Sequence, residues 1–230
     1  MELLDGCDAG GDVAYRVRDI VVATLMLVFA LPILVVAMLA IKAETGGPCF
    51  FFQQRGGRFR RPFQCIKLRT MVVMENGGEV QQATRRDARV TRVGALLRRT
   101  CIDELPQLIN VLRGEMSLVG PRPHAVLHDQ QFAQLCPDYD LRFAVKPGMT
   151  GLAQTMGFRG EVSSVNNIAR RTALDLEYVA RRSLALDVKL MLLTPLRLVV
   201  RPTATEARPA RLERVPATSS VARAEREALA

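Results

Sequence analysis

The feature that most constrains this chain is an unbroken apolar run near its N-terminus. Residues 20–41 read IVVATLMLVFALPILVVAMLAI and contain no charged side chain. At about 1.5 Å of rise per residue, a helix of this length just reaches across the roughly 30 Å hydrocarbon core of a bilayer. The run is too long for the apolar region of a signal peptide, and no convincing cleavage site follows it. We therefore predict a helix that enters a membrane.

Pro32 lies near the middle of this run. Proline removes one backbone donor and clashes with the preceding turn, so the helix should break or kink there. Two topologies follow: a single-pass helix with a kink, or a re-entrant helix that returns to the side it came from. Arg16, Arg18 and Lys42 flank the run on both sides, which fits poorly with a crossing, since Lys and Arg favour the cytoplasmic side. The residues alone leave both topologies open.

The charge and composition restrict the class of partner. The formal net charge of +9 indicates an anionic partner, such as a nucleic acid, a membrane surface or a phosphorylated substrate. Only 5% of the residues are aromatic and none is tryptophan, so stacking platforms for single-stranded nucleic acid are few. Together with the apolar run, this predicts no nucleic-acid partner. The five cysteines are scattered without a CxxC pair, which is typical of reduced, cytosol-facing thiols.

The remaining sequence predicts a mainly helical α/β membrane-associated domain with a small β-hairpin. The hairpin strands, residues 49–55 and 63–69, flank a turn rich in glycine and arginine. Residues 71–86 read as a loop, and residues 184–200 as a helix of the core or of the membrane interface. Further helices are predicted at residues 89–99, 105–113 and 166–182. The predicted organisation is an N-terminal segment (1–14), the membrane helix (15–42), a cytosolic domain (43–200) and a disordered tail (201–230).

Two adjacent acids, Asp103 and Glu104, lie in the stretch RTCIDELPQLINVLRGEMSLVGPRP. The plain interpretation is a helix start, because Asp is a good N-cap and proline is favoured in the first turn. The surrounding cations favour chemistry instead: Arg98 and Arg99 precede the pair, and Arg122 follows between two prolines. Such an arginine suits bidentate phosphate binding, and two carboxylates bind Mg²⁺ through oxygen. The stretch therefore predicts a phosphoryl-transfer site, in which a carboxylate can itself attack phosphorus.

Four segments resemble the bacterial sugar transferase family, the monotopic polyprenyl-phosphate phosphoglycosyl transferases. They are KLRTM, DARVTRVGALLRRTCIDELPQLINVLRGEMSLVGPRP, KPGMTGLAQ and DLEYVARRSLALDVKLMLLT. The resemblance covers residues 15–194, and the long block that ends in GPRP is highly specific. TMGFRGE (residues 155–161) is more weakly similar to the subgroup that begins exopolysaccharide or capsule repeats with glucose or galactose.

The resemblance implies an enzyme of the cell inner membrane with its catalytic domain on the cytoplasmic face. It would transfer a hexose-1-phosphate from a UDP-sugar to undecaprenyl phosphate and release UMP, with Mg²⁺ as cofactor. Asp103 corresponds to the nucleophile that carries a covalent phosphosugar, and Glu104 to a Mg²⁺ ligand. Arg122 is similar to the family's phosphate-binding arginine, while Arg98 and Lys67 fall on basic positions expected to hold the diphosphate.

The resemblance also favours the re-entrant topology, since the family's membrane helix is broken at a proline that corresponds to Pro32. The sequence departs from the family pattern at four places, none of which removes the acid pair or Arg122. These are Cys101-Ile102 in place of Ser-Leu, Arg18 in place of an aromatic, Arg60 in place of Gly, and Arg181-Arg182-Ser183 in place of Asn-Trp-Ser.

Three alternatives stay open from the sequence. The first is the same reaction with an N-acetylated amino sugar. The second, of another class, is a non-catalytic membrane-anchored basic module, which would need neither the acid pair nor Mg²⁺. The third concerns His124 and His128, whose helical spacing suits a metal pair, although two histidines on a helix surface are more often incidental. The sequence gives no indication of the oligomeric state.

Overall fold

The computed structural model describes residues 9–72, 87–158, 160 and 164–200, without the side chains of 9–11 and 197–200. Within these residues the chain forms seven α-helices and two small sheets, joined in places by short 3-10 turns. In chain order the elements are α1 (Ala9–Thr45), β1 (Phe50–Gly56), β2 (Pro62–Leu68), α2 (Arg92–Thr100), α3 (Gln107–Arg113), β3 (Ser117–Val119), α4 (Val126–Leu135), β4 (Gly148–Thr150), α5 (Leu152–Thr155), α6 (Val165–Arg181) and α7 (Leu184–Val200). The mainly helical fold with a small hairpin is as predicted.

Helix α1 contains the apolar run and is by length and composition able to cross a membrane over Asp12–Thr45. Its outer face is apolar and exposed, as at Phe29 and Val36, which expose 78% and 68% of their surface. The helix continues through Pro32 without interruption. The structure therefore does not confirm the predicted break at Pro32, and the re-entrant path stays a prediction.

The predicted hairpin is confirmed. Strands β1 and β2 pair antiparallel from Phe50 opposite Leu68 to Gly56 opposite Pro62. In the turn between them, Phe59 and Arg60 both adopt the left-handed region, with φ of 56° and 58°. This region favours glycine, which explains why the family resemblance expects glycine where this chain has Arg60.

Strands β3 and β4 form a short parallel pair that the sequence did not predict. Ser117 lies opposite Gly148, and Val119 opposite Thr150. The two segments approach so closely that a Cβ on Gly148 would lie 2.0 Å from the backbone nitrogen of Gly120. Glycine is therefore required where the VGPRP and KPG motifs meet, and this contact places the loop that carries Arg122.

The predicted helices are confirmed within a few residues. Helix α3 ends where Gly114 adopts a left-handed φ of 83°, as expected for a glycine that stops a helix. In α7, Asp187 and Leu190 are buried while Leu192 and Leu196 are exposed, so one face of this helix belongs to the core. The predictions for residues 73–86 and for the tail after residue 200 lie outside the described residues, as does most of the second half of TMGFRGE.

Candidate active site

The acid pair lies in a tight turn between two helices. Helix α2 is ended by Cys101, whose left-handed φ of 57° redirects the chain while its backbone N–H contacts the carbonyls of Leu97 and Arg98. The 3-10 turn Ile102–Glu104 follows, and Pro106 is the N-cap of α3, with no side chain capping that helix. The interpretation of Asp103 as a helix cap is therefore wrong, and its carboxylate is left for another role.

Asn110 joins this turn to the hairpin. Its Oδ1 accepts a hydrogen bond from the backbone N–H of Ile66 (3.0 Å), and its Nδ2 donates to the carbonyl of Gln64 (2.7 Å). Asn110 is completely buried, so these bonds are shielded from water. The result is that β2 lies along α3, with Lys67 beside Glu104.

Glu104 is held by two cations. Its Oε1 accepts from Lys67 Nζ (2.8 Å) and from Arg122 Nη2 (2.6 Å), while Arg122 Nη1 lies 3.4 Å from Oε2. Burial alone would raise the pKa of Glu104, but the charges of Arg122 and Lys67 outweigh it and hold this pKa well below its usual range. Glu104 in turn raises the pKa of Arg122. Glu104 and Arg122 are therefore both charged near neutral pH.

Asp103 lies beside this cluster in a different environment. It is 8% exposed, and in the described part of the chain its carboxylate has no hydrogen-bond partner. Burial is the main cause that raises its pKa to about 6; Lys67 opposes this, and the charge of Glu104 adds to it. Neighbouring carboxyl groups whose pKa values are pushed apart are typical of sites where two acids have separate roles.

Arg98 completes the set of predicted site residues. It lies in the last turn of α2, is partly exposed, and its charge is among those that lower the pKa of Asp103. No ion pair of its guanidinium occurs among the residues that the structure describes. The structure thus brings the three predicted cations, Lys67, Arg98 and Arg122, together around the acid pair. Pro32, the predicted helix break, lies in α1 and is not part of this cluster.

Sequence reasoning missed the residues that hold the Arg122 loop in place. The carbonyls of four consecutive residues, 121–124, each accept a hydrogen bond from a residue distant in the sequence. The donors are Gly148 N to Pro121 O (2.9 Å), Arg142 Nη2 to Arg122 O (2.6 Å), Arg55 Nη1 to Pro123 O (2.6 Å) and Gly56 N to His124 O (3.4 Å). The prolines, which lack N–H groups, indicate that outside donors are needed, but the sequence does not say which.

The two histidines do not form a helical pair, because His124 precedes α4, which begins at Val126. His124 Nδ1 lies 2.7 Å from the hydroxyl of Tyr139. Burial, followed by the charge of Arg142, holds the pKa of His124 well below its usual range, so it is neutral near pH 7. No cluster of three or more metal-ligating side chains occurs among the described residues. The metal-pair interpretation is therefore not supported.

The oxygen donors of the acid pair fit magnesium. Mg²⁺ is usually bound by one or two carboxylates together with substrate phosphates and water, and does not need an all-protein cage. Among the described residues, Asp103 offers a carboxylate without a hydrogen-bond partner, and Glu104 offers Oε2, whose only hydrogen-bond partner there is Arg122 Nη1 at 3.4 Å. The charge of Glu104 raises the pKa of Asp103, so the two carboxylates are near enough to interact.

Comparison with known proteins places the chain in a family. The profile described as bacterial sugar transferase matches residues 11–201, and the chain belongs to this family. It is 51% identical over 183 residues to the UDP-glucose:undecaprenyl-phosphate glucose-1-phosphate transferase of Caulobacter vibrioides, covering 80% of this chain and 68% of that protein. It is 50% identical over 179 residues to the protein of the same description from Escherichia coli K12, covering 78% of this chain but only 39% of that protein.

A third relative has a different sugar in its description. The UDP-N-acetylgalactosamine-undecaprenyl-phosphate N-acetylgalactosaminephosphotransferase of Aeromonas hydrophila is 37% identical over 179 residues, covering 78% of this chain and 42% of that protein. These relatives are all sugar phosphotransferases. The chain is accordingly an enzyme of this family, and the alternative of a non-catalytic basic module is set aside.

Proposed function

We propose that this chain transfers a hexose-1-phosphate from a UDP-sugar to undecaprenyl phosphate and releases UMP, through a covalent phosphosugar on Asp103. The observation that carries the proposal is the difference in environment between the two acids of the pair. Glu104 is fixed by Lys67 and Arg122, whereas the neighbouring Asp103 is buried and unpartnered among the described residues. A carboxylate in that state is available as a nucleophile, and the adjacent cations suit a diphosphate.

The transfer would proceed in two displacements. In the first, a carboxylate oxygen of Asp103 bonds to the phosphorus that carries the sugar, and the bond from this phosphorus to UMP breaks. In the second, a phosphate oxygen of undecaprenyl phosphate bonds to the same phosphorus, and Asp103 leaves as a carboxylate. Arg122, Lys67 and Arg98 would bind the phosphate oxygens, because positioning and charge neutralisation supply most of the catalysis in phosphoryl transfer.

Magnesium is part of the proposal as the cofactor. Asp103 and Glu104 would hold the ion, whose charge would offset that of the diphosphate. Glu104 is ionised near neutral pH because Lys67 and Arg122 hold its pKa low, so it can act as an oxygen ligand under working conditions. Its position is fixed by the same two cations, which keeps it next to Asp103.

We propose further that α1 is re-entrant, bends at Pro32 in the inner membrane, and leaves the catalytic domain on the cytoplasmic face. Contacts at both ends of α1 support this. Near its start, Arg16 donates to the carbonyls of Val111 (2.6 Å) and Leu112 (2.5 Å) in α3. Near its end, Glu44 accepts from the backbone N–H groups of Arg92 (2.8 Å) and Val93 (3.1 Å), the first residues of α2. Both ends thus contact the same domain.

The favoured sugar is glucose or galactose, and the reaction would be the first membrane step of exopolysaccharide or capsule synthesis. Two relatives described as UDP-glucose enzymes are 51% and 50% identical, against 37% for the relative described with N-acetylgalactosamine. The resemblance of TMGFRGE to the hexose subgroup supports the same choice. An N-acetylated amino sugar is the alternative.

The test is UMP release by detergent-solubilised protein with Mg²⁺ and undecaprenyl phosphate, with UDP-glucose, UDP-galactose and the two N-acetylated sugars supplied in parallel. We expect release with a plain hexose, lost in Asp103→Asn and retained in Asp138→Asn. The second variant makes the same chemical change at an exposed aspartate in the cytosolic domain. Without the lipid acceptor, about one UMP per enzyme should be released, as for any covalent intermediate that accumulates.

Three outcomes would contradict parts of the proposal. Substantial turnover by Asp103→Asn would exclude this residue as the nucleophile. UMP that is released only when both substrates are present would exclude the covalent route. Release with an N-acetylated sugar alone would replace the proposed substrate.

A further inference from the structure

The loop that carries Arg122 is held in place by hydrogen bonds from other parts of the chain. Pro121 and Pro123 flank Arg122 and lack the N–H groups with which a loop usually forms turns. The carbonyl of Arg122 is satisfied instead by a side chain from 20 residues away, Arg142 Nη2, at 2.6 Å. The backbone from which the Arg122 guanidinium extends is thus located by Arg142.

Arg142 is itself fixed on every side. Its Nε and Nη2 donate to Asp175 Oδ2 in α6 (3.1 and 2.8 Å), and its Nη1 donates to the hydroxyl of Tyr139 (2.9 Å). Nη1 also lies 3.1 Å from His124 Nδ1. All three nitrogens of the guanidinium therefore contact acceptors. The planar guanidinium donates hydrogen bonds in fixed directions that a lysine ammonium cannot reproduce.

The pair of Arg142 and Asp175 is too deeply buried to contact a substrate. Their side chains expose 2% and 6% of their surface. Burying two charges carries a large desolvation cost, and such a pair is often no more stabilising than apolar residues of the same size. This buried pair is better explained by the arrangement that it imposes, which is the position of the Arg122 backbone.

A continuous series of contacts joins this pair to the acid pair. Asp175 binds Arg142, Arg142 binds the backbone of Arg122, and the side chain of Arg122 binds Glu104 at 2.6 Å. We propose that Arg142 and Asp175 are a positioning pair that sets the Arg122 guanidinium against Glu104 and the substrate diphosphate. The inference rests on the proposed function for its kinetic test, but not for its binding test.

The kinetic test is a double-mutant cycle between Arg142→Lys and Arg122→Gln. Arg142→Lys keeps the charge and loses the fork, and we expect it to lower kcat/KM for the UDP-sugar by about tenfold, since small misplacements of binding groups have effects of this size or larger. In the Arg122→Gln background the same change should lower kcat/KM by less than about twofold, because a residue that acts through another has no further effect once that residue is removed. Independent, multiplying effects would overturn the proposal.

Tyr178→Phe is the matched control. The Tyr178 hydroxyl is buried and lies 3.1 Å from the carbonyl of Val119, three residues before Arg122, and 2.8 Å from Asp187 Oδ1. Its removal deletes buried hydrogen bonds to the strand that leads into the same loop, without touching Arg142. We expect a lowered melting temperature with kcat/KM close to that of the unmodified enzyme. A loss of kcat/KM as large as that of Arg142→Lys would show that any weakening of this region suffices, and would overturn the specific role.

The binding test measures the affinity for UDP in the presence of Mg²⁺ by calorimetry, and it needs no turnover. We expect Arg142→Lys and Asp175→Asn to weaken UDP binding about as much as Arg122→Gln does. If UDP binding is weakened in this way but no variant or parent protein transfers sugar phosphate, the positioning role stands and the proposed function fails. Normal UDP binding by Arg142→Lys, with binding lost in Arg122→Gln, would overturn the positioning role.

Folding is checked by circular dichroism before either test. If Arg142→Lys does not fold, Tyr139→Phe replaces it, because this change removes one acceptor of Arg142 Nη1 and leaves both charges of the pair in place. Tyr139→Phe should then show the same dependence on Arg122, with a smaller effect. Its independence of Arg122 would again overturn the proposal.

Discussion

At the scale of single residues, Asp103 and Glu104 show how environment separates two carboxylates that are adjacent in the chain. Burial raises the pKa of Asp103 to about 6. Burial opposes the ionisation of Glu104 as well, but Arg122 and Lys67 reverse its effect and hold the pKa of Glu104 well below the usual range. The two acids should therefore contribute to stability with opposite signs near neutral pH.

Asp103→Asn should stabilise the protein at pH 7. The raised pKa means that the folded state binds more protons than the unfolded state between about pH 4 and pH 6, so stability falls as the pH rises through this window. The asparagine removes this loss, which we expect to be on the order of 1–3 kcal/mol. Thermal unfolding in detergent should give a higher midpoint for the variant at pH 7, and a difference that shrinks at pH 4. A lower midpoint at pH 7 would contradict the assigned environment.

Glu104→Gln should have the opposite effect. It leaves the largely buried cations Lys67 and Arg122 without their counter-ion, so we expect a loss of about 1–3 kcal/mol at pH 7, less than for a fully buried pair. Because the pKa of Glu104 is lowered on folding, its contribution is present above its unfolded pKa and disappears as the pH falls through the folded one. The gap between Glu104→Gln and the unmodified protein should therefore narrow in acid. A shift of the same sign in both variants at pH 7 would be incompatible with this account.

At the scale of elements, Gly94 allows helix α2 to pack closely against the segment that follows β2. A Cβ on Gly94 would lie 2.1 Å from the carbonyl oxygen of Thr70 and 2.7 Å from its carbonyl carbon. The same carbonyl accepts the backbone N–H of Thr91 at 3.1 Å, and the Thr91 hydroxyl caps the helix at Gly94 N. The last turn of α2 carries Arg98 and leads into the acid pair, so this contact helps to set the site.

Gly94→Ala should destabilise the protein although alanine is the better helix former. The intrinsic gain is about 1 kcal/mol, but the overlap with the Thr70 backbone forces α2 outward at a cost of about 1–3 kcal/mol. UMP release should fall as well, since the displacement reaches Arg98. The reverse change at the neighbouring exposed position, Ala95→Gly, should lose about 1 kcal/mol by propensity alone and leave the rate intact. A higher melting temperature for Gly94→Ala would show that the helix is not seated as described.

The sequence predicted features whose signals are local in the chain, and it missed contacts between residues that are distant in the chain. The hairpin and α3 were predictable because their signals are local: alternating residues around a glycine-rich turn, and Gly114 just after an apolar helix. The parallel pair β3 and β4 was missed because each strand has three residues and their partners are about 30 positions apart. The role of Arg142 was missed for the same reason, since its partners Arg122 and Asp175 are 20 and 33 positions away and meet it only in the folded protein.

At the site, the residue types were predictable and their grouping was not. A doublet of acids among arginines indicated phosphate chemistry, and family resemblance supplied the separate roles of Asp103 and Glu104. The sequence does not show that both cations bind Glu104 and leave Asp103 unpartnered, because Lys67 lies 37 positions before Glu104 and is brought to it by the hairpin. The helix-cap alternative was reasonable locally and failed because Pro106, and not Asp103, is the N-cap of α3.

At the scale of the whole molecule, α1 is part of the core that supports the catalytic turn. Small residues two turns apart, Ala23, Ala30 and Ala37, are buried and allow the helix to approach the domain closely. They belong to two apolar clusters, and Leu105, which directly follows the acid pair, packs against both. Helix α1 and the rest of the described chain are therefore packed together, and a change on the inner face of α1 should reach the candidate active site.

Ala23→Leu tests this coupling. Ala23 is completely buried, so the larger side chain must push α1 away from the cluster that contains Leu108 and Val111 of α3, at a cost of about 1–3 kcal/mol. Both the melting temperature and the rate of UMP release in detergent should fall. Ala14→Leu makes the same change at an exposed position of the same helix and should leave both unchanged. If Ala23→Leu alters membrane partitioning but neither stability nor rate in detergent, α1 is an anchor only, and the catalytic turn does not depend on its packing.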